Sequence, residues 1–228
     1  MIRRLLSFLL PFTLAMPFGA AAQPLAVDLS AQPWDALGRV QTELGTRCTG
    51  FLIAPALVMT AAHCLFRPVT GHYVQPSSVH FLWRYDRGGY AGHARAASFV
   101  VSPGYDPRHE LRTLGLDRAF ITLDRAMDDP HSVVRFASAL PAVGGTLYLG
   151  GYNRDHDEIL QANRCRLLGF RVDRGGHLLL LDDCHGEPGT SGAPLFTQDP
   201  AGGWGVVGLS VANTGPGNSL GLAEPLVR

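Results

Sequence analysis

The chain contains no lysine, and all of its basic side chains are arginine. The 19 basic residues match 19 acidic ones, so the formal net charge at pH 7 is zero. A chain without excess positive charge lacks the electrostatic footprint of a protein that binds nucleic acid or an acidic membrane surface. We therefore expect no nucleic-acid partner.

Long apolar runs are missing beyond the N-terminus. The first residues include Arg3 and Arg4, continue with an apolar stretch over 5–16, and lead to three alanines before Gln23. This order is typical of an export signal, and the apolar stretch is too short for the alternative, a membrane anchor. We predict a signal peptide over 1–22 and a soluble mature protein, secreted or periplasmic, without stable membrane insertion. A prodomain role for the residues just after Gln23 stays open.

Amphipathic helices of three turns are also lacking, whereas 27 Gly and 16 Pro supply many turns. Short apolar runs between these turns show no βαβ alternation and predict an all-β sandwich or barrels. One helical turn is expected over 61–65. Residues 126–143 have a weak pattern and two prolines, and form a candidate linker between two halves. The predicted strands span 49–54, 57–60, 79–85, 97–101, 119–123, 146–149, 164–172, 177–181, 193–196 and 204–211.

Cysteine is scarce, and export would bring the four cysteines into an oxidising compartment. In an oxidising compartment they should pair, and three connectivities are possible. We favour Cys48–Cys64 and Cys165–Cys184 because each joins neighbouring chain segments. Each closes a short loop, worth about 3 kcal/mol in the chain-entropy treatment. The alternative, a zinc site, lacks the usual Cys-x-x-Cys or His-x-x-x-His spacing, so no metal is predicted.

A candidate nucleophile lies in the segment 189–194, Gly-Thr-Ser-Gly-Ala-Pro. A nucleophilic serine needs a tight exposed turn, and Gly189 allows backbone conformations that are closed to other residues. The N–H groups of Gly189 and Ser191 could then converge on one oxygen as an oxyanion hole. Taken alone the pattern is weak, because many turns are rich in Gly and Ser.

Two further residues supply what a serine nucleophile needs. A serine hydroxyl is hardly ionised at neutral pH, so a histidine must accept its proton. His63 follows a predicted strand and precedes Cys64, whose disulfide would fix its loop. A carboxylate at the start of a buried strand, Asp117, could orient the imidazole and stabilise the imidazolium.

At these residues the chain resembles the trypsin/chymotrypsin family of serine proteases. Residues 60–64, Thr-Ala-Ala-His-Cys, match the family's histidine motif, and 48–50, Cys-Thr-Gly, stand where its partner cysteine is expected. Residues 103–106, Pro-Gly-Tyr-Asp, look like the segment that precedes the catalytic aspartate. Asp117-x-Ala119 is similar to the aspartate motif, and 189–194 resemble the serine motif. The order and separations of the three motifs are also those of the family, over residues 34–223.

The resemblance implies two packed six-stranded antiparallel β-barrels. Residues 23–133 would form the N-terminal barrel with His63 and Asp117, and 134–228 the C-terminal barrel with Ser191 and the specificity pocket. It further implies an endopeptidase that cleaves protein or peptide substrates through an acyl-enzyme, without a cofactor. We expect a monomer.

The sequence departs from the pattern of the digestive members of this family at two places that concern activation. Thr190 stands where digestive members of the family carry an aspartate that pairs with a newly cut N-terminus, and no Ile-Val-Gly-Gly start is present. Residues 34–40 look instead like the corresponding segment of bacterial branches such as the glutamyl endopeptidases. We predict that this protein does not use that activation switch.

Substrate binding is predicted, by similarity, on two segments: His185 and Gly186 before the nucleophile, and Ser210, Val211 and Asn213 on the strand after it. That strand should also pair with the substrate backbone. No acidic residue stands clearly at the base of the pocket, and His185 could favour an acidic side chain or face solvent. The family often has a serine on this strand that supports the catalytic aspartate; here Val211 aligns, with Ser210 beside it, and the choice stays open.

Two other functions compete with this interpretation. A catalytically silent binding protein on a protease fold would usually lack one of the three residues, and all three are present. An esterase of the α/β-hydrolase type would need a Gly-x-Ser-x-Gly turn within strand–helix alternation and its histidine last in the chain. Order and pattern both disagree with it.

Overall fold

A computed structural model describes residues 25–153, 159–215 and 220–227. The predicted signal peptide and its cleavage site lie outside the described residues. The regular structure of the described chain consists mainly of strands: β1 Leu25–Ala26, β2 Leu37–Thr42, β3 Arg47–Ala54, β4 Leu57–Thr60, β5 Phe66–Arg67, β6 His72–Tyr73, β7 Val79–Trp83, β8 Gly92–Val101, β9 Ala119–Leu123, β10 Thr146–Gly151, β11 Gln161–Val172, β12 Leu178–Asp182, β13 Pro194–Gln198, β14 Trp204–Asn213 and β15 Gly221–Pro225.

The helices in the described residues are single turns. They are α1 Glu110–Thr113 and the 3-10 helices Trp34–Ala36, Ala62–Leu65, Pro76–Ser78 and Leu114–Leu116. Within this part of the chain, none of them has the length and apolar character needed to cross a membrane.

Strand β10 illustrates how the sequence sets the fold. Leu147 and Leu149 are buried, whereas Thr146 and Tyr148, which alternate with them, remain partly exposed. Because successive side chains of a strand point to opposite faces, this alternation places one face in a core. In β3 and β14 the buried runs are nearly continuous, because both strands also pack where the two halves of the molecule meet.

The strands pair antiparallel, and all but β5 and β6, which form a two-stranded sheet of their own, belong to two barrels. The first has the order β2-β3-β4-β9-β8-β7, and β7 returns to pair with β2. The second has the order β11-β10-β13-β14-β15-β12, closed by the β11–β12 pair, with β1 added at the β11 edge. The predicted fold class, two six-stranded antiparallel β-barrels, is confirmed. The alternating α/β architecture of an esterase is contradicted.

Register shifts in several strands help the sheets to curve. The ladders shift between Leu52 and Ala54, between Ala96 and Ser98, and, in the second barrel, between Leu167 and Gly169. Such bulges bend a strand and increase its twist, which is how a flat sheet closes.

Most predicted strands are present with small boundary changes, and the ranges 57–60 and 119–123 agree with β4 and β9. The sequence analysis placed no strand over Leu37–Thr42 or Gly221–Pro225, although each is essential for closing its barrel. Their hydrophobic alternation is weak because glycines and polar residues interrupt it. The expected helical turn is the 3-10 helix Ala62–Leu65.

The predicted linker, 126–143, lies between the last strand of the first barrel and the first strand of the second. The proposed division into 23–133 and 134–228 falls within it and stays a prediction. Across the junction, Tyr152 is almost fully buried and its hydroxyl donates to the Tyr85 carbonyl oxygen at 3.0 Å. Thus apolar and polar contacts both join the two barrels.

Candidate active site

His63 lies in the 3-10 helix Ala62–Leu65, directly after strand β4. Ala61 and Ala62 are fully buried, so the small side chains bring the backbone of this turn close against the core. The Cys48–Cys64 disulfide joins the helix to strand β3, with Cα atoms 6.3 Å apart. The imidazole itself keeps 27% of its surface exposed, so it can be reached from solvent.

Asp117 lies at the end of the 3-10 helix Leu114–Leu116, before strand β9. It makes two hydrogen bonds with His63. Its Oδ2 lies 2.6 Å from His63 Nδ1, and its Oδ1 accepts from the His63 backbone N–H at 2.9 Å. The carboxylate side chain is 1% exposed. This pair of contacts fixes the imidazole so that Nε2 is left for another partner.

The environment of His63 makes it a stronger base. Burial lowers the pKa of the imidazole, but the negative charge of Asp117 and its hydrogen bond oppose that effect and prevail. The net result is a pKa raised above the ordinary histidine value of 6.5. A raised pKa favours proton uptake by His63.

Ser191 lies in the loop that precedes strand β13, between two glycines with left-handed backbone. Gly189 has φ +104° and Gly192 has φ +82°, a region that residues with a Cβ rarely adopt. A Cβ on Gly192 would also collide with the Thr49 carbonyl oxygen and with Thr60 Oγ1. The Gly-x-Ser-Gly pattern therefore has a steric reason at both of its glycines.

Two backbone N–H groups in this loop have no acceptor within the described part of the chain. They belong to Gly189 and Ser191, whereas the intervening Thr190 N–H donates to the Glu187 carbonyl oxygen at 2.9 Å. Gly189 is buried and Ser191 is partly exposed. Such a pair of free donors is the arrangement that an oxyanion requires.

Ser191 and His63 line the same cavity, of about 500 Å³. Gly189, Pro188, Tyr152 and Arg47 also line it. Within the described ranges, the Ser191 hydroxyl makes no hydrogen bond with His63. Catalytic hydrogen bonds are often long in unliganded enzymes and tighten when substrate binds, so the shared cavity is the relevant observation.

A buried threonine that the sequence analysis did not assign holds the nucleophile loop. Thr49, on β3 of the first barrel, donates its backbone N–H to the Ser191 carbonyl oxygen at 2.9 Å. Its hydroxyl donates to the Gly189 carbonyl oxygen and accepts from the Tyr152 N–H, each at 3.0 Å. The only sequence signal was its place beside Cys48.

Thr190 has its own set of partners inside the second barrel. Its hydroxyl donates to Asn153 Oδ1 at 2.6 Å and accepts from the Glu187 N–H at 3.1 Å. Asn153 in turn donates to Gln161 Oε1 at 3.0 Å. The position therefore is satisfied by neutral groups, without a charged partner among these contacts.

The two segments predicted for substrate binding are joined by one hydrogen bond. Asn213 Nδ2 donates to the Gly186 carbonyl oxygen at 3.0 Å, which ties β14 to the loop before the nucleophile. His185 is exposed and has φ +50°. Ser210 and Val211 are buried, at 7% and 4% exposure. Within the described residues the Ser210 side chain donates no hydrogen bond to Asp117, so it does not supply the support expected from this strand.

All four cysteines are paired as favoured, Cys48–Cys64 and Cys165–Cys184. Cys48, His63 and Cys64 lie close enough together to suggest a metal site. Both sulfurs are bonded to each other, however, and offer no thiolate, so the chemistry of this donor set does not fit zinc.

Two buried acids were not recognised from the sequence. Glu224 on β15 forms an ion pair with Arg118, with Oε1 and Nη1 2.8 Å apart, beside Asp117. Burial raises the pKa of Glu224 to about 7, although Arg118 opposes the shift. Burial likewise raises the pKa of Asp182, whose Oδ1 accepts from the Cys184 N–H, to about 6. Nothing in a local pattern distinguishes either residue from an exposed acid.

A larger cavity, of about 690 Å³, lies along residues 130–141 and Trp204. None of the predicted catalytic residues lines it. The smaller cavity at His63 and Ser191 is therefore the candidate active site.

Known proteins resemble this chain in sequence and in fold. A family model described as a trypsin-like peptidase domain matches residues 48–209, which include His63, Asp117 and Ser191.

Serine protease 23 from Rattus norvegicus is 26% identical over 176 residues, and that from Homo sapiens 25%. These matches cover 68% of this chain and 44% of each relative, so the chain spans less than half the length of the curated relatives that it matches. A solved structure of a Glu endopeptidase in complex with MPD superposes with a TM-score of 0.73 at 19% identity, covering 90% of this chain and 92% of that one. That likeness shows the fold.

Proposed function

The chain belongs to the trypsin-like peptidase family. From that premise we propose that it is an exported serine endopeptidase, which cleaves proteins or peptides through His63, Asp117 and Ser191. One observation supports this most directly. His63 makes two hydrogen bonds with a buried carboxylate and lines one cavity with Ser191. The loop of Ser191 presents two N–H groups that have no acceptor among the described residues.

The reaction would begin with attack of Ser191 Oγ on the substrate carbonyl carbon. His63 Nε2 accepts the hydroxyl proton as the new C–O bond forms. The carbonyl π electrons move onto oxygen, and the N–H groups of Gly189 and Ser191 stabilise that oxyanion. Asp117 stays ionised and stabilises the imidazolium.

Collapse of this intermediate breaks the peptide C–N bond. His63 gives its proton to the leaving amine, and an ester between Ser191 and the acyl half remains. Water then attacks the ester with His63 again as base, and the acid product and the free hydroxyl are restored. Each step uses only the side chains and amides of this site, so we propose no cofactor.

Substrate backbone would pair with the stretch of β14 from Ser210 to Asn213, on the side where its ladder with β13 has ended at Leu209. Gly186 and His185 would face the side chain before the cleaved bond, with the acidic preference suggested for His185 left to measurement. We propose that the enzyme acts as a monomer. The two disulfides fit an oxidising compartment, which supports secretion or a periplasmic location.

The first experiment treats the protein from residue 23 onward with a fluorophosphonate probe, beside Ser191→Ala and His63→Ala. We expect covalent labelling at Ser191 in the parent protein and none in either variant. Ser98→Ala, an exposed serine on β8, is the matched control and should label normally. Mass spectrometry of the labelled peptide identifies the modified serine.

Absence of labelling in a folded, disulfide-bonded sample would contradict an activated serine and support a catalytically silent binding protein. Limited proteolysis before labelling separates that outcome from an uncut precursor, since only a precursor would gain reactivity. A peptide-library profile of the active form then measures side-chain preference.

A further inference from the structure

Among the residues that the structure describes, two buried tyrosine hydroxyls of the first barrel have no hydrogen-bond partner. They belong to Tyr73 on β6 and to Tyr105, which follows the turn at Gly104. Tyr105 is 8% exposed, and its N–H donates to the Ser102 carbonyl oxygen at 3.2 Å. Buried hydroxyls without partners are uncommon because they forfeit their hydrogen bonds to water. Both of these therefore need an explanation.

The segment that carries Tyr105 packs against both neighbours of Asp117 in the chain: the Ser102 N–H donates to the Arg118 carbonyl oxygen at 2.8 Å, and a Cβ on Gly104 would lie 3.1 Å from Leu116 Cδ1. Burial raises the pKa of each phenol, and the negative charge of Asp117 raises it further. Tyr105 is the better placed of the two, because its own segment contacts Leu116 and Arg118 on either side of Asp117. Its oxygen still falls outside hydrogen-bond geometry, so the contact is a near approach and not a formed bond.

Asp117 has the capacity to accept another hydrogen bond. Its two bonds from His63 occupy one lone pair on each oxygen, and an ionised carboxylate can accept about four. The sequence left open whether Val211 or Ser210 takes the place of the supporting serine, and within the described residues the Ser210 hydroxyl does not bond to Asp117. A carboxylate that is 1% exposed therefore has an unfilled position beside a buried donor.

We propose that Tyr105 is a positioning residue for the triad proposed above, and that its hydroxyl supplies the third hydrogen bond to Asp117. The bond forms by a small shift of the phenol toward the carboxylate. It needs no change in the His63–Asp117 contacts. In this site, a residue of the first barrel takes the supporting role that was expected from strand β14.

The proposed hydrogen bond should change the pKa of His63 in a definite direction. A hydrogen bond donated to the carboxylate stabilises its negative charge and reduces its attraction for the imidazolium. Tyr105 thus keeps Asp117 ionised in a buried site while limiting how far the pKa of His63 rises. Removal of the hydroxyl should raise the pKa of His63 further. A residue that only packs against the site would lower activity at every pH without moving this value.

Other charged groups near the pair must stay constant in the comparison. Those that act on Asp117, His63 or the two phenols are Glu110, Arg118, Glu224 and Asp106. A tyrosine-to-phenylalanine change alters none of them and keeps the ring in place. Tyr73→Phe is the matched control, because it deletes a hydroxyl near the same carboxylate without a hydrogen-bonding contribution.

The test measures the pKa of His63 by NMR in the Ser191→Ala background, which needs no catalytic activity. We expect Tyr105→Phe to raise it by about 0.5 unit and Tyr73→Phe to leave it unchanged. Equal shifts in both variants, no shift in Tyr105→Phe, or a lowered value would overturn the proposal. The active parent should show the same displacement in the pH profile of kcat/KM.

If Tyr105→Phe does not fold, the unsubstituted protein provides a second measurement. The Tyr105 hydroxyl proton should give a slowly exchanging resonance that moves when His63 titrates. Free exchange with solvent would overturn the proposal. Failure of fluorophosphonate labelling would remove the proposed function and leave these NMR results unaffected, so the two failures can be told apart.

Discussion

His63 is held by contacts within the first barrel, whereas Ser191 depends on a residue of the opposite barrel. The disulfide and both Asp117 hydrogen bonds fix the histidine. The serine loop takes two of its hydrogen bonds from Thr49 on β3. The proton-accepting side of the site is thus formed within one barrel, whereas the nucleophile side is complete only when the two barrels pack together. The following experiments test that difference.

The largest loss of activity should follow a change in the pair of His63 and Asp117, which lies within the first barrel. We expect Asp117→Asn to reduce kcat/KM by about 10⁴-fold, because the amide favours the wrong imidazole tautomer. Steady-state kinetics on a peptide substrate measures the loss, and circular dichroism checks the fold. Asp106→Asn, an exposed acid in the preceding segment, should retain activity. Comparable losses in both variants would contradict a specific role for Asp117.

The next effect concerns Glu224, which links the second barrel to the residue after Asp117. Its folded pKa of about 7 exceeds the unfolded value of 4.5, so the free energy of unfolding should fall as pH rises between these values. The fall is at most about 3 kcal/mol. Glu224→Gln should flatten this slope, as measured by urea unfolding at pH 5 and pH 8.

Glu43→Gln, at an exposed acid, is the control for that slope. Asp182 has a pKa raised in the same direction, so some slope should remain in the Glu224 variant. If the free energy of unfolding changes with pH in the same way in the parent and in Glu224→Gln, the raised pKa of Glu224 is contradicted.

Thr49→Val tests the dependence of the nucleophile on the opposite barrel. The change leaves the Gly189 carbonyl oxygen and the Tyr152 N–H without their hydroxyl partner, which should cost about 2 kcal/mol of stability. We expect kcat to fall about tenfold as the oxyanion donors shift. Thr122→Val, at an exposed threonine of β9, controls for the substitution itself. Unchanged kcat would mean that the loop holds its shape without Thr49.

The smallest expected effect is a shift in the inflection of kcat/KM against pH in the parent enzyme. The base must be neutral to accept a proton, so kcat/KM should rise with pH through the raised pKa of His63, with an inflection above 6.5. The stability that the charged His63 gains from Asp117 has the opposite trend. It is present below the unfolded pKa and is lost as pH rises through the folded value. An inflection below 6.5 would contradict the influence of Asp117.

Local patterns predicted much of the site. Gly189 and Gly192 were informative because their backbone conformations are closed to other residues, and that constraint acts within the loop itself. Cys48 and Cys64 were paired correctly because they join neighbouring segments. The strands Leu37–Thr42 and Gly221–Pro225 were missed, since their alternation is weak and their place is set by the partners that close each barrel.

The sequence by itself determined the motifs at 60–64 and 189–194, the pairing of the cysteines and the all-β class. Each depends on spacing, turn chemistry or alternation along a short stretch. Only the tertiary structure decided that Thr49 holds the serine loop, that the segment of Tyr105 packs beside Asp117, and that Glu224 meets Arg118. These residues are far apart in the chain or carry no local signal. Their contacts arise because closing and docking two barrels brings distant strands to one cleft and excludes water from it.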